Sequence, residues 1–148
     1  MAGINVGAIT AEVALTASTA KTTVQLVAAS NHPIKVYRWG VAFDGVSTTA
    51  EPVVVTLMRQ STAGTMSALT AVKLSNHSET LQTTAQHTAT AEPTSGDVLD
   101  RVNVHPQSGF EIIFPLGQEI DVPGGGRIGI VCTAPANVNV ISKLFCIE

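Results

Sequence analysis

The stretch from Val104 to Val131, VHPQSGFEIIFPLGQEIDVPGGGRIGIV, restricts the fold more than any other part of the chain. Three short apolar runs, Phe110 to Phe114, Glu119 to Val122 and Arg127 to Thr133, stand between turn signals rich in proline and glycine. That rhythm predicts consecutive antiparallel strands joined by tight turns.

The same rhythm runs through the rest of the chain. In Lys21 to Ala29, the residues Val24, Leu26 and Ala28 share one face of a strand while Thr23 and Gln25 take the other. Ser30-Asn31-His32-Pro33 is a turn, because Pro33 fixes its own φ and restricts His32. From Ile34 to Asp44, a strict period of two puts Tyr37, Trp39, Val41 and Phe43 on one face. Half of the aromatic side chains lie on that face, which marks the centre of the core. Pro52 to Gln60 is almost continuously apolar, as expected of a strand buried on both faces. A further strand is expected around Met66 to Leu74, after a turn at Ser61 to Gly64.

Ser75 to Gly96 is rich in Thr, Ala and Ser, and reads either as a polar strand over Thr83 to Thr90 or as a long excursion. Asp97 to Val104 resumes as a strand with Val98, Val102 and Val104 on one face. Val138 to Ile147 closes the chain with apolar residues on both faces: Val138, Val140 and Leu144 on one, Ile141, Phe145 and Ile147 on the other. No segment carries a helical apolar stripe. The expected fold is all-β, a single-domain two-sheet sandwich or jelly roll of about eight to ten short antiparallel strands, with little or no helix. Residues 1–20 are expected as an N-terminal arm or edge strand, and residues 21–148 as the sandwich.

Composition narrows the function. A chain of 148 residues can bury a self-sufficient core. With 45% hydrophobic and only 13% charged residues, its surface must be largely neutral, which suits permanent packing against neighbours. A net charge of -3 with eight Lys and Arg argues against a nucleic-acid groove. No polybasic run points to a membrane surface, and no apolar run approaches the ~18 residues that span a bilayer. Small residues at Ala14 to Ala20 look like a leader cleavage site, but Glu12 interrupts the apolar region and no Lys or Arg precedes Lys21, so the segment is read as structure. Cys132 and Cys146 sit in apolar strand-like runs and are expected as free, buried thiols.

Candidate chemistry fails residue by residue. Gly117, Pro123 and Gly125 fit part of the second cupin motif, but Ile128 stands where that family has a metal-binding His, and Cys132 where it has Asn. None of His32, His77, His87 or His105 forms the His-x-His pair of the first cupin motif, and no convergent ligand set for zinc is visible. His105 and Ser108 read as a turn set by Pro106 and Gly109, without a third orienting group or a nucleophile elbow. Glu111, Glu119 and Asp121 are candidate paired carboxylates, yet Glu119 and Asp121 read as the solvated side of a strand. Pro123 to Arg127 reads as a hairpin turn, because no helix follows it to hold a phosphate. Asn76-His77-Ser78 is a glycosylation sequon that matters only in a secreted protein. No catalytic, cofactor-binding or metal-binding residue is therefore expected.

The C-terminal third, RVNVHPQSGFEIIFPLGQEIDVPGGGRIGIVCTAP, resembles small β-sandwich virion proteins of tailed bacteriophages, of the capsid cement or decoration type. The resemblance lies in an apolar strand after His-Pro-Gln-x-Gly, then a proline, an acidic-flanked strand and a Pro-Gly-Gly turn. It implies a jelly-roll-like fold, assembly often as trimers, and binding where capsid subunits meet. The expectation is thus a non-enzymatic virion protein, made in the host cytoplasm and placed on the capsid exterior. Its expected partners are its own copies, as a homotrimer, and the major capsid protein, without nucleic acid, membrane or cofactor. The termini and Ser75 to Gly96 are the expected contacts. The alternatives are a tail-fibre, baseplate or head-fibre module binding a receptor or glycan, and an enzyme on a jelly-roll scaffold.

Overall fold

The computed structural model describes residues 3–46, 50–76 and 78–148, and within them the chain is all strand and turn, with no helix. Two antiparallel sheets pack face to face. The seven-stranded sheet is built around β1 (Asn5–Ile9), β4 (Ile34–Phe43), β10 (Gly109–Ile113) and β13 (Val138–Ile147). Its short members are β2 (Val13–Leu15), β7 (Val72–Lys73) and β11 (Ile120–Val122). The six-stranded sheet runs β6 (Thr65–Leu69), β8 (Thr84–Ala91), β3 (Ala20–Val27), β12 (Arg127–Thr133), β5 (Val53–Gln60) and β9 (Ser95–Val104).

Taken in chain order, β1, β3, β4, β5, β9, β10, β12 and β13 make a 1-8-3-6 sheet facing a 2-7-4-5 sheet. That is the strand order of a jelly roll. The segment β6-β7-β8 is inserted between β5 and β9. It adds β8 and β6 beyond β3 in one sheet and β7 beyond β1 in the other, so it wraps one open side of the sandwich. Leu69, Ala71 and Leu81 pack against the core there.

The core follows from alternation. Val24, Leu26, Ile128, Ile130, Val55 and Leu57 point inward from one sheet, and Trp39, Val41, Val140 and Leu144 meet them from the other. The sheets are also joined by a buried polar contact, with the Thr23 and Ser142 hydroxyls 2.7 Å apart. Thr23 faces inward because a bulge skips it: Val24 pairs with Ile130, but Val131 pairs with Thr22.

Similar irregularities overturn two expected faces. Phe145 pairs with Arg38 and Cys146 with Val36, so Tyr37 is an unpaired extra residue in β4. Tyr37 is half-buried and lies against Phe145, at 6.5 Å between ring centroids, while Ile34 and Val36 take the inward places. In β9, an extra residue is accommodated on each side of Val98, which turns Val98 out to 48% exposure while Val104 remains buried.

Residues 1–20, expected as an arm or edge strand, contribute β1 and β2. β1 lies between β13 and β7, and β2 pairs with β13. The polar segment Ser75 to Gly96 holds β8, paired with β3 on one side and β6 on the other. The link before it is fastened by Glu148, whose carboxylate accepts the backbone N–H groups of Gln82 and Thr83. Among the described residues, thirteen strands stand where eight to ten were expected, because β2, β7 and β11 are only two or three residues long.

Candidate interaction surface

The two outer faces differ. On the six-stranded sheet, polar side chains are buried and mutually bonded. Gln25 Nε2 donates to Gln60 Oε1 at 2.7 Å, and Gln60 Nε2 to the Thr22 hydroxyl at 2.9 Å. β8 pairs with β3 only between Val24 and Val27, so the Thr22 N–H beyond that point lacks a strand partner. Glu92 supplies one, accepting both the N–H and the hydroxyl of Thr22. Arg127 donates to the side-chain oxygen Gln25 Oε1 at 3.2 Å. A satisfied network of this kind fastens the inserted segment to the sheet.

The seven-stranded sheet is open. Across it, Ile113, Arg38, Phe145, Gly7 and Val72 lie side by side in register. The neighbouring row is Glu111, Gly40, Lys143 and Ile9. Glu111 is shared by two cations: Arg38 Nε donates to one carboxylate oxygen, and Lys143 Nζ to the other at 2.9 Å. The hydrogen bond from Arg38, then that from Lys143, holds the Glu111 carboxyl below the usual carboxylate range. Solvent reaches all three side chains, so the pairs add little stability. Their effect is to set two positive groups against one negative group, in a chain of net charge -3.

Apolar side chains surround this cluster. Of the eight large hydrophobic residues exposed among the described residues, Ile9, Val72, Leu74 and Ile113 stand on this side of the sandwich, and Leu116 projects from the turn after β10. Ile113 is 64% and Leu116 97% exposed. Ile141, Phe145 and Ile147 line the outer side of β13 between them, as its two apolar faces predict. Apolar residues grouped around a small charged centre have the chemistry of a protein-contact surface.

The residues considered for chemistry are dispersed. Glu111, Glu119 and Asp121 do not converge: Glu119 accepts the Gly117 N–H within a turn, and Asp121 lies 3.7 Å from Lys35. His105 Nδ1 accepts the Gln107 N–H, and the Ser108 hydroxyl donates to the His105 carbonyl, so both serve the turn. His32 is exposed in its turn, and His87 Nδ1 lies 2.8 Å from the Thr88 hydroxyl. His77, the middle residue of the Asn76-His77-Ser78 sequon, falls outside the described residues. Ile128 and Cys132, at the cupin ligand positions, are sealed in the core. Cys132 and Cys146 are both free, and burial pushes each thiol up to about 12. Among the described residues, no group of three or more His, Cys, Asp and Glu is placed to hold a metal ion, and no helix is long and apolar enough to cross a membrane.

No protein-family model, curated protein or solved structure matches the chain. The reading of function therefore rests on the surface itself. One concave feature, a groove of about 710 Å³ floored by Pro33, Val122, Pro123 and Ile147, opens at the end of the sandwich. The ion pair of Lys35 with Asp121 lines it, together with His32 and Glu148. In the sequence Glu111 stood out only as a candidate carboxylate beside Glu119 and Asp121, with nothing to mark its cationic partners. Its real partners lie 73 and 32 residues away, and only the strand order β10-β4-β13 brings them together.

Proposed function

We propose that this chain is a non-enzymatic structural protein of a tailed-phage virion, of the cement or decoration type. It is made in the host cytoplasm, self-associates, and binds the capsid exterior between subunits of the major capsid protein. The outer face of the seven-stranded sheet is the surface offered to the shell. The observation that carries this reading is the grouping of Ile9, Val72, Leu74 and Ile113 around Arg38 and Lys143, which share the single carboxylate of Glu111. An acidic group on an apolar shell surface complements such a face, and steering by opposite charge favours productive encounter.

The resemblance of the C-terminal third supports the same reading, as does the small share of charged residues. Each contact is modest, but an oligomer that engages several equivalent shell positions gains avidity without any new contact. Co-sedimentation with shells assembled from a tailed-phage major capsid protein tests the proposal. The wild-type protein is expected to pellet with the shells, and Ile113→Lys or Arg38→Glu to remain in the supernatant while keeping the native β-sheet spectrum. Wild-type protein that ignores such shells, or variants that bind as well as wild type, would contradict it.

A further inference from the structure

The strands that end the two sheets are unequally protected against pairing with another chain. β9 carries Asp97, Asp100 and Arg101, and both extra residues that shift its register against β5 fall within it. β10 carries Glu111 and runs on to Pro115, and β7 is two residues long and includes Lys73. The short β11 contains Asp121, and the short β2 follows Glu12. Charge, proline, brevity and bulges are the devices by which a sheet edge avoids recruiting a foreign strand.

β6 has none of these protections to a comparable degree. It spans five residues, TMSAL, and neither a charged residue nor a proline occurs anywhere from Ser61 to Val72. Among the described residues its strand neighbour is β8 alone. The register between them shifts, but the surplus lies on β8: Thr65 pairs with Ala91 and Ser67 with His87, two steps on β6 against four on β8. β6 itself therefore stays regular. Thr65, Ser67 and Ala68 are exposed along it.

We propose that β6 is a self-pairing edge, at which two copies of the chain join antiparallel about a two-fold axis and merge their six-stranded sheets into one. A two-fold axis through an antiparallel ladder sets one residue opposite its own copy, and Ser67 is the middle of β6. In that register Thr65 faces Leu69 of the partner subunit, and Met66 faces Ala68 of the partner subunit. The occupant is a second copy because this edge is its own complement. Self-pairing of β10 about its middle residue sets Glu111 against its own copy, and the extra residues in β9 disturb its ladder, whereas β6 meets itself without like charges.

The contact belongs to the sheet opposite the Arg38, Glu111 and Lys143 face, so it stands independently of shell binding. It makes a dimer in place of the trimer that the sequence resemblance implies.

Sedimentation velocity over a concentration series tests it, on wild type, Ser67→Lys, Ser67→Glu and an equimolar mixture of the two variants. Wild type is expected to dimerise. Each variant alone, with two like charges directly opposed, is expected to dimerise at least about tenfold more weakly. The mixture is expected to recover a heterodimer, because Lys then faces Glu. Met66→Lys/Ala68→Lys mixed with Met66→Glu/Ala68→Glu applies the same logic if the Ser67 variants fail to fold, because position 66 faces position 68 of the partner subunit. A wild type that is monomeric or trimeric throughout, single variants that dimerise like wild type, or mixtures that do not recover association would each overturn the proposal. Shell co-sedimentation of the same variants separates this result from the shell-binding reading, since the face carrying Arg38 is untouched.

Discussion

The guanidinium carbon of Arg38 sits 4.4 Å from the centroid of the Phe145 ring. On its other side the ring covers Gly7, where an added Cβ would lie only 3.1 Å from a ring carbon. One aromatic ring thus ties β4, β13 and β1 together on the outer face of the sheet, and it is 5% exposed although the face is open. Phe145→Ala is expected to lower the unfolding free energy by about 3 kcal/mol. Arg38→Ala is expected to cost about 1 kcal/mol, and a double-mutant cycle between the two should show coupling of about 0.5–1 kcal/mol. Urea unfolding with tryptophan fluorescence measures all three, because Trp39 is the only tryptophan and is fully buried.

Acid sensitivity follows from Glu111. Its carboxyl titrates lower in the folded chain than when unfolded, chiefly because Arg38 and then Lys143 hydrogen-bond the ionised form. The folded state thus binds fewer protons. The stabilisation is complete above the ordinary carboxylate range and is lost as the pH falls through the lower folded value. Asp44 behaves in the same direction through its hydrogen bonds from Asn139. Glu111→Gln should therefore reduce stability at neutral pH and flatten its decline below about pH 4.5. Thermal melts from pH 7 to pH 3 test this, and parallel curves for variant and wild type would contradict it.

Much of this arrangement was legible in the sequence. The apolar residues on both sides of β13 announce a strand with a core face and a second, outward-facing apolar side. Glycine and proline mark the turns from Val104 to Val131 correctly. What escaped were features that depend on a neighbouring strand. Tyr37 fits the period of Trp39 and Val41, but the bulge opposite Phe145 and Cys146 shifts it off their face. Val98 fits the period of Val102, and the extra residues in β9 turn it outward. β8 has little apolar pattern because its neighbours β3 and β6 supply the pairing and Gln25 its polar surroundings.

Gly129 makes room for the polar network on the six-stranded sheet. A Cβ there would fall 2.4 Å from Gln60 Oε1, which is held by Gln25, while Gln60 Nε2 is held by Thr22. Gly129→Ala must displace a side chain that cannot move without leaving buried partners unsatisfied. The expected loss is about 2 kcal/mol. Gln60→Ala in the same background should make the Gly129→Ala substitution nearly neutral, which chemical denaturation of the single and double variants can check.

Thr88 has a φ of 54°, a left-handed backbone that a β-branched residue adopts at a cost. It lies where β8 turns away from β3 and Glu92 takes over the Thr22 N–H. Thr88→Asn, which tolerates this conformation, is expected to stabilise the fold by about 1 kcal/mol and raise Tm by about 3 °C. A lower Tm would mean that the contact of the Thr88 hydroxyl with His87 outweighs the strain.

Burial raises the Cys132 and Cys146 thiols to about 12, so thiolate is scarce at pH 8. Both cysteines should resist a thiol-specific disulfide reagent in the native protein and react together on unfolding. Reaction of either at the native rate of an exposed thiol would contradict their place in the core.

The most direct measurement is electron cryo-microscopy of phage shells saturated with the purified protein. The account predicts ordered jelly-roll density on the shell exterior at the junctions between capsid subunits, with Arg38, Glu111 and Lys143 turned toward the shell. Bare shells, or density attached through the six-stranded sheet instead, would contradict it.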